Sequence, residues 1–160
     1  MRILGIDPAL TITGYGIVDA LNKEVALLEA GVIKTSPRDS TPDRLNKIHT
    51  AVMKLIQDTH PGVMVLEKLY AHYRHPTTAY LLGQARGVIC LACAEKGIPL
   101  VEYAATRVKK AVCGLGLASK IQIQRTVADI FKLRSLPKYN DVTDALALAI
   151  AHSYMLKSKI

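Results

Sequence analysis

Short apolar runs and amphipathic stretches alternate along this chain and define its elements. Ile3, Leu4 and Ile6 fall in a compact run over Arg2–Asp7 that Pro8 stops, which predicts a buried strand. Residues 13–19 and 24–33 read as two more strands, with Asn22-Lys23 between them as a hairpin turn. Leu45, Ile48, Val52, Leu55 and Ile56 recur at helical spacing, and Pro61-Gly62 closes that amphipathic helix. Val63–Glu67 is a fourth, nearly all-apolar strand, and a polar loop over 68–76 follows it. Leu81, Leu82, Ala85, Val88, Ile89 and Ala92 mark a second helix. Residues 98–103 read as a fifth strand, with further helices over 120–133 and 142–156.

This order predicts an α/β chain. Three strands form an antiparallel meander, parallel strands follow, and helices flank one mixed five-stranded sheet. At 160 residues without an internal repeat or a long linker, the expectation is one domain with a core large enough to need no staples. Three cysteines and an N-terminal apolar run broken at Asp7 point to a reducing cytoplasm rather than export. Cys90 and Cys93 form a C-x-x-C inside an apolar helical run, with no second pair to complete a zinc site, so they read as core. No run approaches the roughly 18 apolar residues of a membrane span.

Against that apolar frame the carboxylates stand out by position. Asp7 and Glu67 each end a buried strand, at the rim where α/β sheets bind ligands. Asp141 and Asp144 open the last helix three residues apart, which puts them on one helix face at about 5–6 Å. Each has an ordinary explanation. Asp7 could cap the turn at Pro8, Glu67 could be salt-bridged, and the last pair could cap a helix favoured by its dipole. The alternative is a cluster of hard oxygen ligands for Mg²⁺ or Mn²⁺. Two such ions roughly 4 Å apart activate a water and stabilise the leaving oxygen in phosphodiester hydrolysis.

The net charge of +8 calls for a polyanionic partner, nucleic acid before a membrane surface. Most of it is local: between Arg107 and Lys138 eight basic residues face one acid, Asp129. Lys109 and Lys120 flank Gly114-Leu115-Gly116, a loop able to bring amides and ammonium groups to a phosphate, and Arg107 and Lys110 extend the basic stripe. Directly after Glu67, the segment Tyr70, His72, Tyr73 and Arg74 interleaves rings with a cation, which suits stacking on unpaired bases. A solvated basic surface and an ordinary loop are the plain alternatives.

These motifs together resemble the RuvC family of Holliday junction resolvases over almost the whole chain. The likeness rests on GIDPALTITGYG from Gly5 to Gly16, on Leu66-Glu67, and on LGQARG from Leu82 to Gly87. It continues through VKKAVCGLGLASKIQIQ from Val108 to Gln124 and DVTDALALA from Asp141 to Ala149. The resemblance implies a ribonuclease H-like fold, a homodimer, and Mg²⁺-dependent paired nicking of four-way DNA junctions in recombination and repair. It implies two Mg²⁺ per subunit, replaceable by Mn²⁺, held by Asp7, Glu67, Asp141 and Asp144. Lys109 and Lys120 match basic residues that support the scissile phosphate, and Tyr70 falls where an aromatic residue acts on junction bases. Branch-migration proteins of the RuvA/RuvB type are the implied partners.

Two positions depart from the family pattern: Ala9 stands where glycine is usual and Ile12 where a basic residue is frequent. The first bears on the turn after Asp7 and the second on one phosphate contact. Gly83 and Gly87, four apart on the second helix, permit close helix approach. That helix is expected either to cross the dimer two-fold or to pack on its own sheet. The Asp7 strand and glycine turn also resemble the first phosphate motif of sugar kinases and actin-like ATPases, which need two such domains. A ribonuclease H-like RNA-processing nuclease would share the acids without the Lys109–Gln124 signature. A non-catalytic junction-binding module would survive loss of the acids.

Overall fold

The structure is a computed structural model and describes residues 1–21, 24–69 and 76–157. Its element order is β1 (Arg2–Asp7), β2 (Ile12–Leu21), β3 (Glu24–Lys34), α1 (Thr41–Thr59), β4 (Val63–Glu67), α2 (Pro76–Glu95), β5 (Leu100–Tyr103), α3 (Ala105–Cys113), α4 (Lys120–Ile130) and α5 (Asn140–Lys157). The five strands make one mixed sheet in the order β3-β2-β1-β4-β5. β1, β2 and β3 run antiparallel, and β4 and β5 join parallel to β1, as the hydrophobic pattern predicts.

Strand alternation divides the core in two. Ile3, Val18, Val63 and Val65 face α3, α4 and α5, whereas Leu4, Ile6, Ile17, Met64 and Leu66 face α1 and α2. Ile3, Leu4, Ile6, Met64 and Leu66 are fully buried, and each contributes about 1.5–3 kcal/mol relative to exposure. α5 is apolar nearly all round its middle, from Ala145 to Ala151, because the sheet and the helices α3 and α4 enclose it.

The differences from the sequence reading are local. α3 is an additional helix: its apolar signal is only Val108 and Val112, interleaved with Arg107, Lys109 and Lys110. It ends at Gly114, whose φ of 76° is left-handed, so the backbone amide returns to the Lys110 carbonyl. α2 starts at Pro76, five residues before its apolar periodicity, since Pro at a first helical position gives up no hydrogen bond. β5 begins at Leu100, after Pro99, and α4 ends at Ile130 ahead of Lys132 with φ 51°. The expected Asn22-Lys23 turn lies outside the described residues.

Candidate active site

Side-chain alternation places the first two acids. Asp7 continues the Ile3-Gly5 side of β1, and Glu67 continues the Val63-Val65 side of β4. The strands are adjacent and parallel, paired up to Ile6 and Leu66. Both carboxylates therefore leave the same end of the sheet on the face that α5 covers.

Glycine brings the other two acids to them. Gly5 pairs with Gly16 and Asp7 with Gly14 across the β1–β2 ladder, so glycines form a strip without side chains. α5 lies directly on it. A Cβ on Gly5 would stand 2.1 Å from the Ala145 carbonyl oxygen, and one on Gly14 2.1 Å from that of Asp141. A Cβ on Gly16 would meet the Leu146 side chain at 2.5 Å. No side chain fits between helix and sheet here, and this contact fixes Asp141 and Asp144 beside Asp7.

Two helices supply the cations. α4 opens at Lys120 behind a Ser119–Gln122 capping box, in which the Gln122 amide nitrogen donates to Ser119 Oγ (3.2 Å) and the Ser119 amide to Gln122 Oε1 (2.7 Å). This places Lys120 Nζ 3.6 Å from Asp144 Oδ2. Lys109 reaches the same cleft from α3. Asp7, Glu67, Asp144, Lys109 and Lys120 line a cavity of about 320 Å³ floored by Val108, Ile123, Ala147 and Leu148.

The charges act on one another. Burial raises the Asp7 carboxyl to about 7, and repulsion from Asp144, Asp141 and Glu67 adds to it, against the opposing pull of Lys120. Glu67 is raised by burial and by Asp144, with Lys109 and Lys120 opposing. Asp144 is raised by burial, with Lys120 opposing and Asp141 reinforcing. Asp7 thus feels each of the other three acids. Among the described residues no three acid, histidine or cysteine side chains already form a compact metal-ligating group. The donor set nonetheless fits a hard divalent cation: carboxylate oxygens on rigid elements, raised by their own repulsion, which such a cation would relieve.

Other candidates fall elsewhere. Arg107 and Lys110 lie on another side of α3 and line a separate hollow with Ala111, Tyr154 and Met155, and Arg107 stacks 5.5 Å from the Tyr103 ring centre. Tyr70, His72, Tyr73 and Arg74 lie outside the described residues. Cys93 is buried and its Sγ donates to the Ile98 carbonyl at 3.0 Å, in keeping with a core role. Ala9 needs no left-handed backbone, and the buried Thr13 Oγ1 donates to its carbonyl at 2.6 Å, so the extra methyl introduces no backbone strain. Ile12 is half-buried at the start of β2. Arg86, which the sequence pattern does not single out within LGQARG, reaches the end of β4. Its Nη1 donates to the Glu67 carbonyl at 2.9 Å.

Comparison with known proteins shows the family. The family model for crossover junction endodeoxyribonuclease RuvC matches residues 3–152. The crossover junction endodeoxyribonuclease RuvC of Rhodopirellula baltica is 44% identical over 158 residues, covering 99% of this chain and 89% of that protein. The protein of the same name from Finegoldia magna is 41% identical, covering 99% and 96%. Among solved structures, T. thermophilus RuvC in complex with Holliday junction substrate superposes with a TM-score of 0.93 at 32% identity, covering 99% of this chain and 96% of that one. The ribonuclease H-like architecture expected from the sequence is borne out. This chain belongs to the RuvC family of crossover junction endodeoxyribonucleases.

Proposed function

We propose that this chain resolves four-way DNA junctions by hydrolysing one phosphodiester in each of two symmetry-related strands, using Mg²⁺ held by Asp7, Glu67, Asp141 and Asp144. The observation that carries the reading is the gathering of three further acids about Asp7, with two lysines facing them, in a chain of this family. Bound there, two metal ions would supply a water activated at neutral pH and a Lewis acid for the leaving oxygen, with Mn²⁺ able to replace Mg²⁺. Asp7 and Glu67 hold their positions because their strands are buried; Asp141 and Asp144 hold theirs because α5 rests on glycine. Lys109 and Lys120 favour the ionised form of the acids and present ammonium groups to the scissile phosphate.

The rest of the surface supports a nucleic-acid partner. The basic stretch from Arg107 to Lys138, including Arg107 and Lys110 beyond the cleft, suits contacts along the phosphate backbone. Tyr70, His72, Tyr73 and Arg74 follow Glu67 in sequence and are assigned to junction contacts, Tyr70 to the bases. Among the described residues nothing lies within 4 Å of where a Cβ on Gly83 or Gly87 would stand; Ala85 and Ile89 pack α2 on its own core, and its open glycine face is assigned to a second copy. A two-fold homodimer gives two active sites for two equivalent strands. Among the described residues no helix is long and apolar enough to cross a membrane. We assign the whole chain to one nuclease domain acting in the cytoplasm, with branch-migration partners of the RuvA/RuvB type.

A synthetic four-way junction incubated with the protein and Mg²⁺ tests this directly. Symmetric paired nicks are expected with Mg²⁺ and none with EDTA; an uncut junction in Mg²⁺ contradicts the reading.

A further inference from the structure

Arg86 belongs to α2, on the face of the sheet opposite α5, where Ala85 and Ile89 pack into the core that holds Leu4, Ile6, Met64 and Leu66. Its side chain is only 11% exposed and reaches round the end of β4. One terminal nitrogen, Nη1, donates to the backbone carbonyl of Glu67 at 2.9 Å, and the other, Nη2, pairs with the Glu102 carboxylate on β5. β5 pairs with β4 as far as Glu67 and Tyr103, and the Lys68 amide donates to the Tyr103 carbonyl at 2.8 Å. At Glu67 the sheet ends, and Arg86 ties down its carbonyl at that point.

We infer that Arg86 is a positioning residue for Glu67: it clamps the Glu67–Lys68 peptide from the face opposite the cleft and so fixes where the Glu67 carboxylate leaves the strand. The inference rests on the reading of Glu67 as a metal ligand. A mostly desolvated guanidinium without its partners is costly, so the clamp stays closed. The planar fork of arginine suits two separate acceptors, which a single ammonium cannot match. Glu102 lies beside Leu66 in the β4–β5 ladder and its side chain turns towards α2, so it orients Arg86 without reaching the cleft. Groups that orient a metal ligand from behind change metal affinity by about 10–100-fold when lost.

The test measures Mn²⁺ binding to the DNA-free protein, reading free Mn²⁺ by electron paramagnetic resonance. Arg86→Gln is expected to weaken Mn²⁺ binding by about tenfold or more, Glu102→Gln in the same direction by less, and Arg86→Lys not to restore it. Junction affinity in EDTA and the circular dichroism spectrum of Arg86→Gln should stay at wild-type values. Glu67→Gln is measured alongside. If Glu67→Gln weakens Mn²⁺ binding while Arg86→Gln and Glu102→Gln do not, the positioning role is overturned and the ligand role of Glu67 stands. If Glu67→Gln leaves binding unchanged, the ligand assignment itself falls and takes the positioning role with it. Loss of Mn²⁺ binding, junction binding and helical signal together in Arg86→Gln, with Glu102→Gln at wild-type affinity, would mark a merely structural residue and overturn the inference.

Discussion

Gly14 lies so close beneath Asp141 that a Cβ added to it would stand 2.1 Å from that residue's carbonyl oxygen and 2.8 Å from its Cβ. The contact is with backbone, which cannot rotate away as a flexible side chain can. Gly14→Ala must therefore lift the start of α5 from the sheet. Forced overpacking of this kind costs about 1–3 kcal/mol. The denaturant midpoint should fall accordingly, and junction cleavage at a temperature where the variant is folded should fall by about tenfold or more, since misplacing a reacting group by about 1 Å can cost about a hundredfold. Wild-type cleavage by a folded Gly14→Ala would show that the seat of Asp141 is not set by this contact.

Lys120 opposes the raised pKa values of Asp7, Glu67 and Asp144, joined by Lys109 for the last two. Removing it should have two effects. Cleavage by Lys120→Ala should slow by about a hundredfold, the scale for loss of one group aimed at developing charge, with a smaller change in junction affinity. The pH at which the residual cleavage reaches half its maximum should rise, because the acids then ionise at higher pH. An unshifted profile would separate Lys120 from the acids.

The raised Asp7 carboxyl makes metal-free stability depend on pH. Its folded pKa, about 7, exceeds the ordinary value of 3.8, so the folded state binds the proton more tightly than the unfolded chain does. The corresponding stabilisation is fully present below pH 3.8 and is lost as pH rises through about 7. In EDTA at pH 7.5, Asp7→Asn should therefore melt several degrees above wild type, and Mg²⁺ should raise the wild-type midpoint more than that of the variant. Equal midpoints in EDTA would show that the four acids do not strain the free protein.

The open face of α2 carries the dimer assignment. Gly87→Gln places a long side chain where the chain itself leaves space, so the protomer should fold with its usual circular dichroism. Sedimentation should show its dimer dissociation constant raised by about tenfold or more, the equivalent of at least 1.4 kcal/mol of interface free energy. Cleavage should pass from paired to single nicks. A Gly87→Gln dimer of wild-type stability would place the interface elsewhere.

How much of this was legible beforehand follows from the kind of signal each part carries. β1 and β4 announce themselves as buried apolar runs that end at Asp7 and Glu67, whereas the shared face of the two carboxylates comes from the β1–β4 register. α3 does not, because Val108 and Val112 give a nine-residue helix only two buried positions among three cations and small residues. Lys109 and Lys120 do flank the glycine loop, but it is the packing of their two helices, α3 and α4, against α5 that brings them to the cleft. The Gly14–Asp141 contact and the Arg86–Glu67 hydrogen bond join residues far apart in the chain. Only the sheet register and the seat of each helix reveal them.

The central claim is that the acids around Asp7 perform the chemistry while other residues bind the junction. The most direct measurement compares wild type with Asp7→Asn on a labelled four-way junction, scoring binding in EDTA and cleavage in Mg²⁺. Asp7→Asn should bind the junction at wild-type strength with cleavage reduced by about a thousandfold or more, the several kcal/mol of transition-state stabilisation that a bound metal supplies. Cleavage by Asp7→Asn within a fewfold of wild type, or loss of junction binding in step with cleavage, would contradict it.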